Sequence, residues 1–287
     1  MADHLFAASN WWSSPLMMGG FLYSIQGYIR ALREVAPEFG DLRLVTPTTG
    51  PVRVEVDHPD FLLQMLQLTF DPRNRYSSTD SRGRPSMAST APEGFTASFL
   101  CGPEGDERFS VRVCDGSRSA AAPIASATVK SLRDGDWPAE EVIEDALCAS
   151  IAFWRPGTAW MTTNSFKAAV RIDPRDHLVV GWRTYLGRRG RSLPTLQLVT
   201  RSALPRGTLA RIIPPGGVLV GLRSDFFEPS DPDQRSEAIA IRDGLRPHGL
   251  LDLPKDADTI GRGELVEVET ANSWDLGDRP APDERRP

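Results

Sequence analysis

Residues 95–115 read FTASFLCGPEGDERFSVRVCD, and this stretch decides the fold class. Apolar side chains fall on alternate positions: Phe95, Ala97, Phe99 and Cys101, then Phe109, Val111 and Val113. A period of two puts each set on one face of an extended strand. The Gly102-Pro103 turn signal lies between the two runs, Asp115-Gly116 closes the second, and Ala125–Leu132 supplies a third strand. Three strands in succession without an intervening helix describe an antiparallel meander rather than a βαβ unit.

Upstream of this meander the period lengthens. Phe21, Leu22, Ile25, Ile29, Leu32 and Val35 recur at helical spacing within Gly19–Ala36, and Pro37 stops the run. Pro59–Phe70 reads as a second helix, and Asp71–Gly94, rich in Pro, Ser, Arg and Gly, reads as a long loop. Downstream, Trp137–Trp154 reads as a helix capped by Asp136, followed by a short strand at Ala159–Thr162. Leu178–Leu186 carries the strongest strand signal in the chain, and Gly207–Ile213 with Val218–Leu222 reads as a hairpin. Asp231–Leu245 is the last helix, with Asp231 as its N-cap, Pro232 in its first turn and Gly249 beyond its end. The expectation is an α+β fold: a mixed, mostly antiparallel sheet packed with about four helices. Residues 1–253 are read as one domain, and 254–287 as an acidic, Pro-rich tail that is partly disordered.

Composition narrows the chemistry. The 287 residues carry a formal net charge of -5, which argues against duplex nucleic acid as a direct partner. Cys101, Cys114 and Cys148 are odd in number and lack metal-ligand spacing; Cys101 and Cys114 fall in apolar, strand-like runs and read as small buried thiols, in a reducing compartment. The first residues lack a basic-then-apolar leader, and no run is long enough to span a bilayer, so a cytoplasmic location is expected. His4, His58, His177 and His248 stand singly, and HExxH, GxSxG and phosphate-loop motifs are absent. With three lysines and no Glu-x-Lys triplet, a metal-dependent nuclease centre finds no support. No catalytic residue, metal site or cofactor is therefore expected.

Two clusters could instead meet a partner. Asp225, Glu228, Asp231 and Asp233 form either a solvated loop that caps the last helix or an acidic patch for a basic partner. Arg188 and Arg189 sit in a tight turn, either as an exposed tip or as contacts to carboxylates. Trp11 and Trp12 are either core staples or exposed anchors.

The string Val179-Val180-Gly181-Trp182-Arg183-Thr184-Tyr185-Leu186 resembles the VGW-x-TYL strand of the immunity protein 52 family. The order that follows is similar too: the Ile212–Val220 hairpin around Pro214-Pro215-Gly216-Gly217, then Phe227-Glu228-Pro229-Ser230-Asp231-Pro232-Asp233, a helix, and Gly249-Leu250-Leu251. Phe99-Leu100-Cys101-Gly102 and the Trp154–Trp160 region resemble it more weakly, and the similarity spans Gly19 to Leu253. The resemblance implies an antitoxin of a bacterial polymorphic toxin system, often linked to type VI secretion. Such a protein neutralises a cognate toxin, here expected to be a nuclease of restriction-endonuclease-like fold, by binding and without chemistry. No family functional residue transfers to this chain, because the matching positions look structural. The rival readings are an adaptor or chaperone for a secreted effector and, further off, an unrecognised hydrolase.

Overall fold

The computed structural model describes residues 3–12, 17–46, 49–69, 76–79, 81, 84–91, 94–115, 124–132, 139–171, 179–187, 197–199, 202–213 and 217–251. All lie within one unit, Met1–Ala257, whereas the second unit, Asp258–Pro287, and residues 254–257 of the expected tail lie outside the described residues. In chain order the elements are β1 (Phe6–Trp12), α1 (Met18–Val35), β2 (Leu42–Thr46), β3 (Gly50–Val54), α2 (Phe61–Leu68), β4 (Phe95–Cys101), β5 (Phe109–Asp115) and β6 (Ile124–Ser131). There follow α3 (Ala139–Trp154), β7 (Thr158–Thr162), α4 (Asn164–Val170), β8 (Arg183–Leu186), β9 (Leu209–Ile213), β10 (Gly217–Gly221) and α5 (Pro232–Leu245). The fold is α+β.

The strands join in one ten-stranded sheet ordered β3-β2-β4-β5-β6-β1-β7-β8-β10-β9. Every described pairing is antiparallel, in line with the mostly antiparallel sheet expected from the sequence. β1 sits in the middle, paired with β6 through Phe6↔Lys130 and with β7 through Phe6↔Thr162.

The meander of residues 95–131 forms as its alternation dictates. Phe95, Ala97, Phe99 and Cys101 are buried on one face of β4, in register with Val113, Val111 and Phe109 of β5. That face is covered by α1: Phe21 packs on Phe95 with ring centroids 5.4 Å apart, and Phe39, just after α1, stacks on Phe109 at 5.0 Å. α3 lies against β1, β6 and β7, where Trp154 stacks on Trp11 at 4.6 Å with the rings within 10° of parallel. Trp11 is thus a core staple; the side chain of Trp12 lies outside the described residues. Burying each such side chain contributes about 1.5–3 kcal/mol. Tyr28 of α1 keeps its hydroxyl satisfied by Ser150 of α3 at 2.5 Å, which ties the two covering helices together.

Part of the long loop has a structural task. α1 has no side-chain cap, and its Met18 and Gly19 N–H groups donate instead to the carbonyls of Ser89 and Met87, each at 2.8 Å. A Cβ on Gly19 would stand 3.1 Å from the Met87 carbonyl oxygen, so glycine permits the approach.

The second half of the sheet differs from the first. β7, β8 and β10 are buried at every position, so both faces are covered there, whereas β4 and β5 alternate. Two sequence expectations are corrected by this half. The strand expected over Leu178–Leu186 begins only at Arg183, and Leu178 lies outside the described residues. A Cβ on Gly181 would lie 2.3 Å from the Met161 carbonyl oxygen, Trp182 N–H donates to that same oxygen at 2.9 Å, and Gly181 N–H turns back to Thr184 Oγ1 at 3.0 Å. The chain therefore presses against β7 at Gly181 and joins the ladder from Arg183. An additional helix, α4, follows β7, capped by Thr163, whose hydroxyl accepts from Phe166 N–H. Five α-helices of seven or more residues are thus defined among the described residues, against about four expected. Pro59 precedes α2 in a turn rather than opening it, and the helix starts at Phe61.

Candidate functional site

The loop between β10 and α5 departs from the sheet over a buried aromatic wedge. Leu222 N–H donates to Trp182 O at 3.1 Å, and Trp182 Nε1 donates to Ser224 O at 3.0 Å. Phe227 then turns inward, 2% exposed, stacked on Trp182 at 5.7 Å and edge-on to Phe166 of α4 at 5.0 Å. Its neighbour Phe226 turns outward and is 79% exposed. Phe226 lies in a bend, and seating the Phe227 ring between Trp182 and Phe166 leaves the Phe226 ring at the surface.

Phe226 is exposed yet held. Its N–H donates to Ser224 Oγ at 3.1 Å, and its carbonyl accepts from Ser224 Oγ at 2.6 Å and from Gln234 Nε2 at 2.9 Å. Gln234 Oε1 accepts from Glu228 N–H at 3.1 Å, so one buried amide of α5 clamps both sides of the doublet. Arg223 is fixed to Glu237 of α5 at 3.0 Å, and Arg235 donates to Pro229 O at 2.8 Å.

Below the loop lies a partly buried charge cluster on α3. Glu140 Oε1 accepts from Phe227 N–H at 3.4 Å. Burial pushes the Glu140 carboxyl up to about 7, with the Phe227 N–H and Arg183 pulling it down and Glu144 pushing it up. One turn on, Glu144 pairs with Arg183 at 3.4 Å and Arg211 at 3.1 Å. The Arg183 guanidinium also lies over the Trp182 ring, 4.1 Å from its centroid. Both carboxylates are engaged with the loop or with the arginines beneath it, which makes the cluster a lock between α3, β8 and the 222–231 loop.

Asp225, Glu228, Asp231 and Asp233 fall on this loop and the first turn of α5. Asp225, Glu228 and Asp233 are exposed. Asp231 is the N-cap as read from the sequence, accepting from Asp233 N–H at 2.8 Å. Hydrogen bonds from the Ser230 hydroxyl and N–H hold the Glu228 carboxyl below its ordinary range, so it stays charged. Residues 223–237 hold five carboxylates against two arginines, which leaves the surface around Phe226 acidic. Arg188 and Arg189 lie outside the described residues. Sequence reasoning singled out the acidic residues of this loop but not Phe226. The signal was the Phe226-Phe227 doublet between Asp225 and Glu228, an apolar pair inside an acidic stretch.

Among the described residues no group of three or more His, Cys, Asp or Glu side chains could hold a metal ion, and no helix is long and apolar enough to cross a membrane. The sequence matches no protein-family model. It matches no curated protein. Among solved structures, the Pseudomonas aeruginosa T6SS protein PA0821 is similar: 10% identity, a TM-score of 0.51, and coverage of 88% of this chain and 77% of that one. The likeness is one of fold.

Proposed function

We propose that this chain is an immunity protein that binds one cognate toxin and neutralises it by direct contact, without chemistry of its own. The observation that carries the reading is Phe226: a large apolar ring, 79% exposed, on a loop fixed by hydrogen bonds on both sides and rich in exposed carboxylates. A pre-ordered aromatic loses little entropy on docking, which suits it to be the anchor of an interface. The surrounding negative charge steers a basic partner, as a nuclease surface is. The resemblance of the Val179–Leu186 string to the immunity protein 52 family and the likeness in fold to a type VI secretion protein support a secretion-linked toxin, in line with a nuclease of restriction-endonuclease-like fold.

Co-expression with candidate nuclease toxins of the same cell tests the reading. Wild-type protein is expected to rescue growth, and Phe226→Ala to fold normally but weaken the complex by about 2–4 kcal/mol. Failure of the wild type to protect would sink the immunity reading. Binding without protection would turn the assignment to an adaptor or chaperone. Full protection by Phe226→Ala would move the docking site away from this loop.

A further inference from the structure

On the first half of the sheet most described side chains on one face are half-buried or exposed, Arg43 and Ala8 excepted. Register places Arg53, Arg43, Leu100, Ser110 and Lys130 in one row across β3, β2, β4, β5 and β6, on the face opposite α1. Arg112 lies in the next row, between Ser98 and Thr128. Among the described residues, no Asp or Glu occupies an outward position on the strands from β3 to β1, in a chain whose acids outnumber its bases by 38 to 33.

Among the described residues, the cations on this face other than Arg43 are also unspent. Elsewhere Asp57 takes Arg30 and Arg33, Glu38 takes Arg108, Glu144 takes Arg183 and Arg211, and Glu237 takes Arg223. On this face only Arg43 is neutralised, by Glu107 at 2.7 Å. Arg53, Arg112 and Lys130 make no ion pair with any described residue, and Arg53 and Arg112 are exposed. With strands about 4.8 Å apart, Arg53 and Lys130 stand about 19 Å apart across the sheet. That spread fits within one side of a standard protein interface.

We infer that this sheet face is a second docking surface, and that it receives an acidic protein segment. Charge complementarity carries the inference: cations without an ion-pair partner among the described residues, interleaved hydroxyls and no outward carboxylate on the described strands themselves, Glu104 and Glu107 standing only beside Arg43 in the turn between β4 and β5. Nucleic acid fits less well. Three cations over about 19 Å are sparse against a duplex with one charge per about 1.7 Å. Phe6 is the one ring among the outward side chains described from β3 to β1, and it is only half-buried rather than free for base stacking. The inference does not rest on the toxin-binding reading, since it leaves the Phe226 loop untouched.

The test uses the full chain and a labelled peptide of alternating Glu and Thr, followed by fluorescence anisotropy at low and high salt. A Lys-Thr peptide and a single-stranded oligonucleotide of equal length serve as competitors. The face variant is Arg53→Glu with Arg112→Glu and Lys130→Glu. A control variant, Arg155→Glu with Lys167→Glu and Arg206→Glu, makes the same charge change off this face. The acidic peptide is expected to bind wild type in a salt-sensitive way, to lose at least about tenfold in affinity with the face variant and to change less than about twofold with the control. Absence of binding, equal losses in both variants, or displacement by the oligonucleotide but not by excess unlabelled acidic peptide would overturn the proposal. So would self-association of the wild type that the face variant abolishes, because the occupant would then be a second copy.

Discussion

Glu140→Gln is the most informative single change. The side chain is 8% exposed in the first turn of α3 and accepts the Phe227 N–H, a bond that an amide oxygen reproduces. In the unfolded chain this carboxyl ionises at its ordinary 4.5, and in the folded protein burial delays ionisation to about 7. Between these two values the unfolded state has released a proton that the folded state still holds, so stability falls as pH rises through the window and is level above it. The full displacement is equivalent to about 3 kcal/mol, and partial solvent contact reduces this to about 1–2 kcal/mol. Glutamine removes the proton and the pH dependence with it. Urea unfolding of both proteins from pH 4.5 to pH 8 isolates the effect, because all other titrating groups cancel in the difference. The variant is expected to match the wild type at the acid end and to be more stable by about 1–2 kcal/mol above pH 7, a rise of about 2–8 °C in Tm for a protein of this size. A stability difference that stays constant with pH, or a variant that becomes the weaker protein above pH 7, would refute the assignment of a buried, late-ionising carboxyl beneath the loop.

Further outcomes follow from the same geometry. Phe227→Ala empties the space between Trp182 and Phe166 and is expected to cost about 3–5 kcal/mol by denaturant unfolding, with exchange protection lost first around residues 222–231. Gly181→Ala drives a methyl into the Met161 carbonyl and is expected to destabilise by more than about 2 kcal/mol in thermal melts, whereas alanine at Gly20, which has open space around it, stays within about 1 kcal/mol of wild type. Asp231→Ala removes the cap of α5 at a cost of about 1 kcal/mol in urea unfolding. Changing Asp225, Glu228 and Asp233 to their amides is expected to slow toxin association at low salt and to flatten its salt dependence in stopped-flow mixing, with little change in the dissociation rate.

Much of the architecture was legible wherever one physical signal dominated. The alternation in 95–115 fixed two strands and the face they bury, and Asp231-Pro232 marked the start of α5 to the residue. β2 and β3 escaped because they are five residues each and Pro51 interrupts the second. β1 escaped because its small residues, Ala7, Ala8 and Ser9, are buried on both faces and show no period. The over-long strand at Leu178–Leu186 reflects a non-local contact: nothing in the sequence near Gly181 announces that Met161 closes the space beside it. At the candidate site the acidic residues were visible as composition, but Phe226 acquires meaning only once Phe227 is seated between two distant rings.

The central position of β1 has a consequence for how the chain reaches this state. Its two neighbours in the sheet are Ile124–Ser131 and Thr158–Thr162, so a strand from the beginning of the sequence waits for partners from its middle. Until both arrive, β1 has two unsatisfied hydrogen-bonding edges, and closing those long loops places assembly among the slow folding topologies. The same arrangement makes β1 a keystone: a fragment lacking it would hold two sheets with raw inner edges. Supplying residues 3–12 as a separate peptide should then restore the join, which makes this protein a natural candidate for split reconstitution.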